Sequence, residues 1–198
     1  MRYAQEHKAE SRARIVRSAA QQLRAKGPEK VGVAEVMAGA GLTHGAFYAH
    51  FASKDALVAE AIDAMFSETR RASQVLDDAL AEANPKVRTA FKAFVSAYLS
   101  AEHRDAPERG CPLPSLAADV SRSDGPPRAR FTAGVERMSG KIAAVLDRLG
   151  IAESETEANA TLAQMAGAIG LARAVGSSVL SDAILADTLK SISVRFGL

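Results

Sequence analysis

The chain has 198 residues, 47% hydrophobic and 24% charged, with a formal net charge of +2. This balance excludes a disordered tail, which is poorer in apolar residues, and no run approaches the roughly 18 apolar residues of a membrane-spanning helix. Cys111 is the one cysteine, which excludes an intrachain disulfide and a zinc site built on cysteines.

In chain order the pattern reads as helix almost throughout, with abundant alanine and no sustained period-two alternation. Residues 9–26 place Ile15, Ala19, Ala20 and Leu23 on one face, with arginines 12, 14, 17 and 24 mostly off it. Lys26-Gly27-Pro28 stops that helix. A two-turn helix from Val33 halts at Gly41, and Thr43 is placed to cap a second short helix, His44 to His50. Ser53 caps a long helix running from Lys54 to about Leu80, and Asn84-Pro85 opens the next. The stripe of that next helix is Val87, Phe91, Phe94, Val95, Tyr98 and Leu99. Residues 105–114 read as a loop, followed by helices at Ser115–Val120, Arg128–Leu149 (ending at Gly150), Ser154–Leu180 and 181 or 182–Phe196. The expected fold is all-α: a three-helix N-terminal head, residues 1–55, then a larger bundle, residues 56–198.

Charge separates these two parts. Residues 1–55 hold nine basic and five acidic side chains, whereas residues 56–198 sum to −2. A basic head on a neutral body points to a polyanionic partner, although a solvated basic helix face accounts for the charge equally well. The segment VAEVMAGAGLTHGAFYAHFASK, residues 33–54, has the lengths and turn chemistry of a helix-turn-helix, whose second helix enters the major groove of DNA. Gly45 and Ala46 are small enough for close backbone approach. Phe47 and Phe51, four apart, face inward, and His44, Tyr48 and His50 offer donors to phosphates and base edges.

The run AGLTHGAFYAHFASKDAL resembles the operator-binding helix-turn-helix of TetR-family transcriptional regulators. It supplies the family's small residue–Gly–hydrophobic–Ser/Thr pattern as Ala40, Gly41, Leu42 and Thr43, then Tyr48, His50, Phe51 and Lys54. The resemblance covers about residues 11–60. It implies that Thr43 caps the recognition helix and touches phosphate, and that His44, Gly45 and Ala46 face bases. Tyr48, His50 and Lys54 then contact the backbone, with Arg14 and other first-helix arginines, and Arg2, adding further contacts. One departure is Val33, where the family commonly has a threonine that bonds phosphate.

The resemblance also implies a dimerising, ligand-binding body. Ala160, Ala163, Gly167, Ala168, Gly170 and Ala174 leave a small-residue surface on helix 154–180. With Ile184, Leu185, Leu189 and Ile192 they make half of a four-helix interface in a homodimer. Phe66, Phe91, Phe94, Tyr98, Phe131 and Met138 are the large side chains available to line a pocket for an apolar small molecule, or simply to fill the core. Cys111 is either a packed side chain shaping that pocket or, with Arg104 and Arg109 nearby to favour a thiolate, a sensor of electrophiles or oxidants.

The expected partners are a double-stranded DNA operator, a small-molecule effector and a second copy of the chain. No membrane, metal or cofactor is expected. The charged N-terminus reads against a secretory signal, so the expected location is cytoplasmic. An enzyme built on Cys111 and His103 lacks a third orienting group, and an architectural DNA binder leaves the large body unexplained.

Overall fold

The computed structural model describes residues 2–81 and 86–198, with the side chains of 2–5, 71 and 72 left aside. Ten α-helices run through the described residues, and no strand occurs among them: α1 Arg2–Lys26, α2 Val33–Gly39, α3 Lys54–Ala72, α4 Gln74–Ala81, α5 Val87–Tyr98, α6 Ala101–Asp105, α7 Pro112–Ser121, α8 Pro126–Arg148, α9 Ser154–Ala174 and α10 Val179–Phe196. Two 3-10 helices, His44–Ala49 and Pro107–Arg109, complete them. The all-α expectation holds. None of the described helices is long and apolar enough to cross a membrane.

Contacts divide the chain into two compact units, Met1–Ser67 with Cys111–Gly134, and Glu68–Gly110 with Val135–Leu198. The head expected within residues 1–55 lies in the first, together with residues 56–67 and 111–134. Its core is the predicted α1 stripe (Ile15, Ala19, Ala20 and Leu23) packed with Val36, Met37, Phe47, Phe51, Leu57 and Ile62. In the second unit every member of the predicted α5 stripe is buried. Phe91 there meets Phe196 of α10 at 5.9 Å between ring centroids.

Several boundaries differ from expectation, each for a local reason. The long helix expected over Lys54–Leu80 is two helices broken at Ser73. The Ser73 hydroxyl is buried, donates to the Arg70 carbonyl at 3.1 Å and accepts from Lys141 Nζ at 3.0 Å. A serine that bonds its own backbone competes with the helix ladder. Helices α7 and α8 start at Pro112 and Pro126, earlier than expected, because a proline at the first helical position forfeits no hydrogen bond. Helix α9 ends at Ala174 rather than Leu180: Gly176 takes φ +69°, and the Ser178 hydroxyl caps α10 by accepting from the Ser181 amide at 3.2 Å. The short helix α6 lies where none was expected, capped by Ser100. The expected Asn84-Pro85 cap lies outside the described residues.

A polar cluster around the buried Arg104 and Ser181 ties α6 to the α9–α10 turn. Arg104 donates to the Ser181 hydroxyl at 2.9 Å, to Asp182 at 2.5 Å and to Asp105 at 2.7 Å. Arg173 donates to the carbonyls of His103 at 2.7 Å and Arg104 at 3.0 Å.

Candidate nucleic-acid interface and effector body

Helix α2 packs on α1 through a close approach at Gly39, where an added Cβ would collide with the Ser18 hydroxyl. Ser18 instead donates to the Val36 carbonyl at 2.9 Å. Gly41, at φ +69°, then turns the chain: its amide bonds the Ala38 carbonyl at 3.0 Å and the Leu42 amide the Met37 carbonyl at 2.9 Å. These paired bonds satisfy the last carbonyls of α2 and need a left-handed residue that glycine adopts without strain.

The helix expected over His44–His50 is a 3-10 helix ending at Ala49. Thr43 holds the cap position with extended backbone, but its hydroxyl makes no capping bond and stays exposed. Phe47 is buried and stacks on Phe51 at 5.7 Å, as the inward face required. Outward stand His44 and Gly45, exposed, with Ala46 half-buried and Tyr48 72% exposed. A Cβ built at Gly45 meets nothing within 4 Å, so this glycine relieves no internal crowding. Large aromatics left in water are uncommon, and a tyrosine combines contact area with a hydrogen-bonding tip.

Three flanking residues complete the expected set. Arg14 is exposed, 3.4 Å from the Ser11 hydroxyl. Lys54 donates to the Pro28 carbonyl at 2.8 Å, so one of its protons tethers the turn after α1. His50 is half-buried, with Nδ1 buried and unpaired. Burial, then the charges of Lys8 and Arg12, hold its pKa below the usual 6.5.

Arg12, grouped from sequence with the DNA-facing arginines, has a different setting. It donates twice to the Glu60 carboxylate of α3, at 3.1 Å through Nε and again through Nη2, and once through Nη1 to the His50 carbonyl. Its guanidinium lies 4.1 Å from the Phe51 ring centroid. The only hint in the sequence is a charge at the edge of each apolar stripe, which names no partner.

The seven expected pocket residues fall in different units. In the first, Phe66 and Phe131 meet edge to face at 5.9 Å, and Cys111, 3% exposed, sits at the cap position of α7. In the second, Phe91 and Met138 are buried, Phe94 and Tyr98 stand 6.2 Å apart, and Tyr98 meets the His103 ring at 4.6 Å. Burial, opposed by a bond from its ring to the Tyr98 carbonyl, keeps His103 below its usual pKa, with Arg173 adding to the fall. A groove of about 550 Å³ in this unit runs between α8 and α9, lined by Gly140, Ala143 and Ala144 together with Glu136, Asp147 and Glu155. None of the seven lines it.

Of the expected dimer residues, Ala160, Ala163, Gly167 and Ala174 are exposed, Ile184 and Leu189 are half-buried, and Ala168 and Leu185 are packed inside. Sequence reasoning passed over the strongest signal on this surface. Leu171 is 60% exposed and Val179 88%, with Val175, Leu180 and Val194 also exposed. Gly167 and Gly170 face open space.

Two family models match the chain. One, for bacterial regulatory proteins of the tetR family, spans residues 15–61, and the other, a tetracyclin repressor-like C-terminal domain, spans 85–176. Among solved structures, the reduced form of E. coli NemR superposes with a TM-score of 0.78 at 19% identity, over 92% of this chain and 96% of that one. A TetR-family transcriptional regulator from Agrobacterium tumefaciens gives 0.77 at 19%, covering 93% and 98%. A TetR transcriptional regulator from Chloroflexus aurantiacus J-10-FL gives 0.75 at 24%, covering 98% and 97%. No curated protein matches. With both halves matched and the fold shared end to end, the chain belongs to the TetR family of bacterial transcriptional regulators.

Proposed function

We propose that the protein is a cytoplasmic, ligand-responsive repressor that binds a palindromic operator as a homodimer and leaves it when a small molecule enters the body. The observation that carries this is the 44–49 helix. Its inner face is locked by Phe47 and Phe51, while its outer face presents His44, an uncrowded Gly45 and an exposed Tyr48. In this reading His44, Gly45 and Ala46 meet base edges, and Thr43, Tyr48, His50, Lys54 and Arg14 meet phosphates.

A palindrome requires two heads about one DNA turn apart, roughly 34 Å. The exposed apolar residues of α9 and α10 supply the second copy's docking face, with Ala160, Ala163, Gly167, Ala174, Ile184 and Leu189 around Leu171 and Val179. Effector binding falls to the body, residues 56–198, beside the Phe94–Tyr98 pair. Coupling of about 1–3 kcal/mol is enough to release DNA. Helix α3 carries it along the chain, starting beside the recognition helix and continuing past Ser67 into the second unit.

The burial of Cys111 supports its packing role over thiol sensing. Hydroxyl-radical footprinting on DNA flanking the gene tests the proposal: two protected patches one turn apart are expected. A single continuous patch, or uniform weak protection, contradicts a dimer reading a palindrome.

A further inference from the structure

The geometry points to Arg12 as a positioning residue that fixes the recognition helix against α3 through Glu60 and the His50 carbonyl, instead of contacting DNA. This rests on the DNA-binding reading above. An arginine presents five N–H groups in a rigid fork and an aromatic-stacking face. Here all three nitrogens are engaged inside the protein and the face lies over Phe51.

Each partner sits where orientation is decided. The His50 carbonyl closes the C-terminal end of the recognition helix, and its amide bonds back to Phe47 at 2.9 Å. Phe51 stacks on Phe47, the residue that seats the helix inward. Glu60 belongs to the helix that leads into the effector body. One side chain from α1 therefore joins the end of the recognition helix to the second turn of α3. The pairing also removes Arg12 from phosphate recognition, because its charge already has a carboxylate partner. Arg14 and Arg17 of the same helix remain exposed.

Two readouts separate positioning from phosphate contact. A duplex is first enriched from a randomised library by the wild-type protein. Binding of fluorescein-labelled selected and scrambled duplexes is then followed by anisotropy over a series of salt concentrations. Arg12→Lys keeps the charge but loses the fork, and Glu60→Gln removes the acid. Both are expected to reduce the preference for the selected duplex about ten-fold, while Arg12→Gln leaves the salt slope on the scrambled duplex unchanged. A slope lowered by about 0.9, affinity restored by Arg12→Lys, or tighter binding by Glu60→Gln makes Arg12 a phosphate contact and overturns the proposal. The second readout needs no DNA: in Arg12→Gln, the amides of residues 46–51 are expected to exchange hydrogen at least ten-fold faster, with those of α2 unchanged. Unchanged exchange at 46–51 also overturns it. If the wild-type protein enriches no sequence, the DNA-binding reading fails, and the exchange measurement still decides the role of Arg12.

Discussion

Gly134 lies on α8 with its α-carbon turned to the Phe66 ring, and an added Cβ would overlap one edge of that ring, against Cδ2, Cε2 and Cζ together. Ordinary carbon contacts begin at about 3.5 Å, so Gly134→Ala forces the ring or the helix to move. The ring has little freedom, since Phe66 is buried and Phe131 meets it edge-on at 5.9 Å. Overpacking of this kind costs about 1–3 kcal/mol, and the better helix propensity of alanine returns about 1. A net loss of up to about 2 kcal/mol corresponds to a fall in Tm of up to roughly 4–8 °C for a chain of this size. Gly140, six residues along the same helix, has nothing within 4 Å of a built Cβ. There Gly140→Ala should raise Tm, because the propensity gain stands alone. Thermal melts followed by circular dichroism at 222 nm, at one protein concentration, compare the two. Equal shifts, or a Gly134→Ala protein at least as stable as the wild type, would refute the reasoning. Phe66→Leu, which opens space, should cost less in the Gly134→Ala background than alone.

Other consequences concern the body and the head. Cys111 should react with a thiol probe such as DTNB only after denaturant is added, and rapid labelling of the native protein would return it to the role of sensor. His103 has a folded pKa below its usual 6.5, so its contribution to stability is complete above that pH and declines as the pH falls from 6.5 toward the folded value. Urea midpoints should therefore drop between pH 7.5 and 5.5, and less steeply in His103→Gln. An unaltered slope contradicts the assignment, with His50, lowered in the same direction, supplying the remainder. Tyr48→Phe should leave the melting temperature untouched while weakening DNA binding about three- to ten-fold, the value of one hydrogen bond. A loss of stability in that variant would place the tyrosine in the core. Leu171→Glu should give a monomer by sedimentation velocity, and a persisting dimer would put the interface elsewhere.

What the sequence disclosed is what adjacent residues decide. The α1 stripe and the α5 stripe are buried as their spacing requires, and the turn at Gly41 and the stop at Gly150 fall where a left-handed glycine ends a helix. The inward seat of Phe47 and Phe51 follows from the same arithmetic. What escaped depends on partners far along the chain. The break at Ser73 is completed by Lys141, 68 residues away, and Arg12 finds Glu60 48 residues on. Prolines at 112 and 126 read as loop markers because the same residue that breaks a helix interior also opens a helix well. The exposed apolar face of α9 and α10 is legible in the sequence in part, through its small residues and through Ile184 and Leu189. The larger ones, Leu171 and Val179, look like core until the fold shows them facing water.

The proposed function rests on the 44–49 helix reading a DNA sequence from a basic head. The most direct measurement is titration of the wild-type protein against duplex from the flanks of its gene and against a scrambled duplex, across several salt concentrations. Tight binding to a flanking duplex and weak binding to the scrambled one are expected, with log K falling steeply against log salt as several phosphates are neutralised. Absence of binding to either duplex at low salt would contradict it.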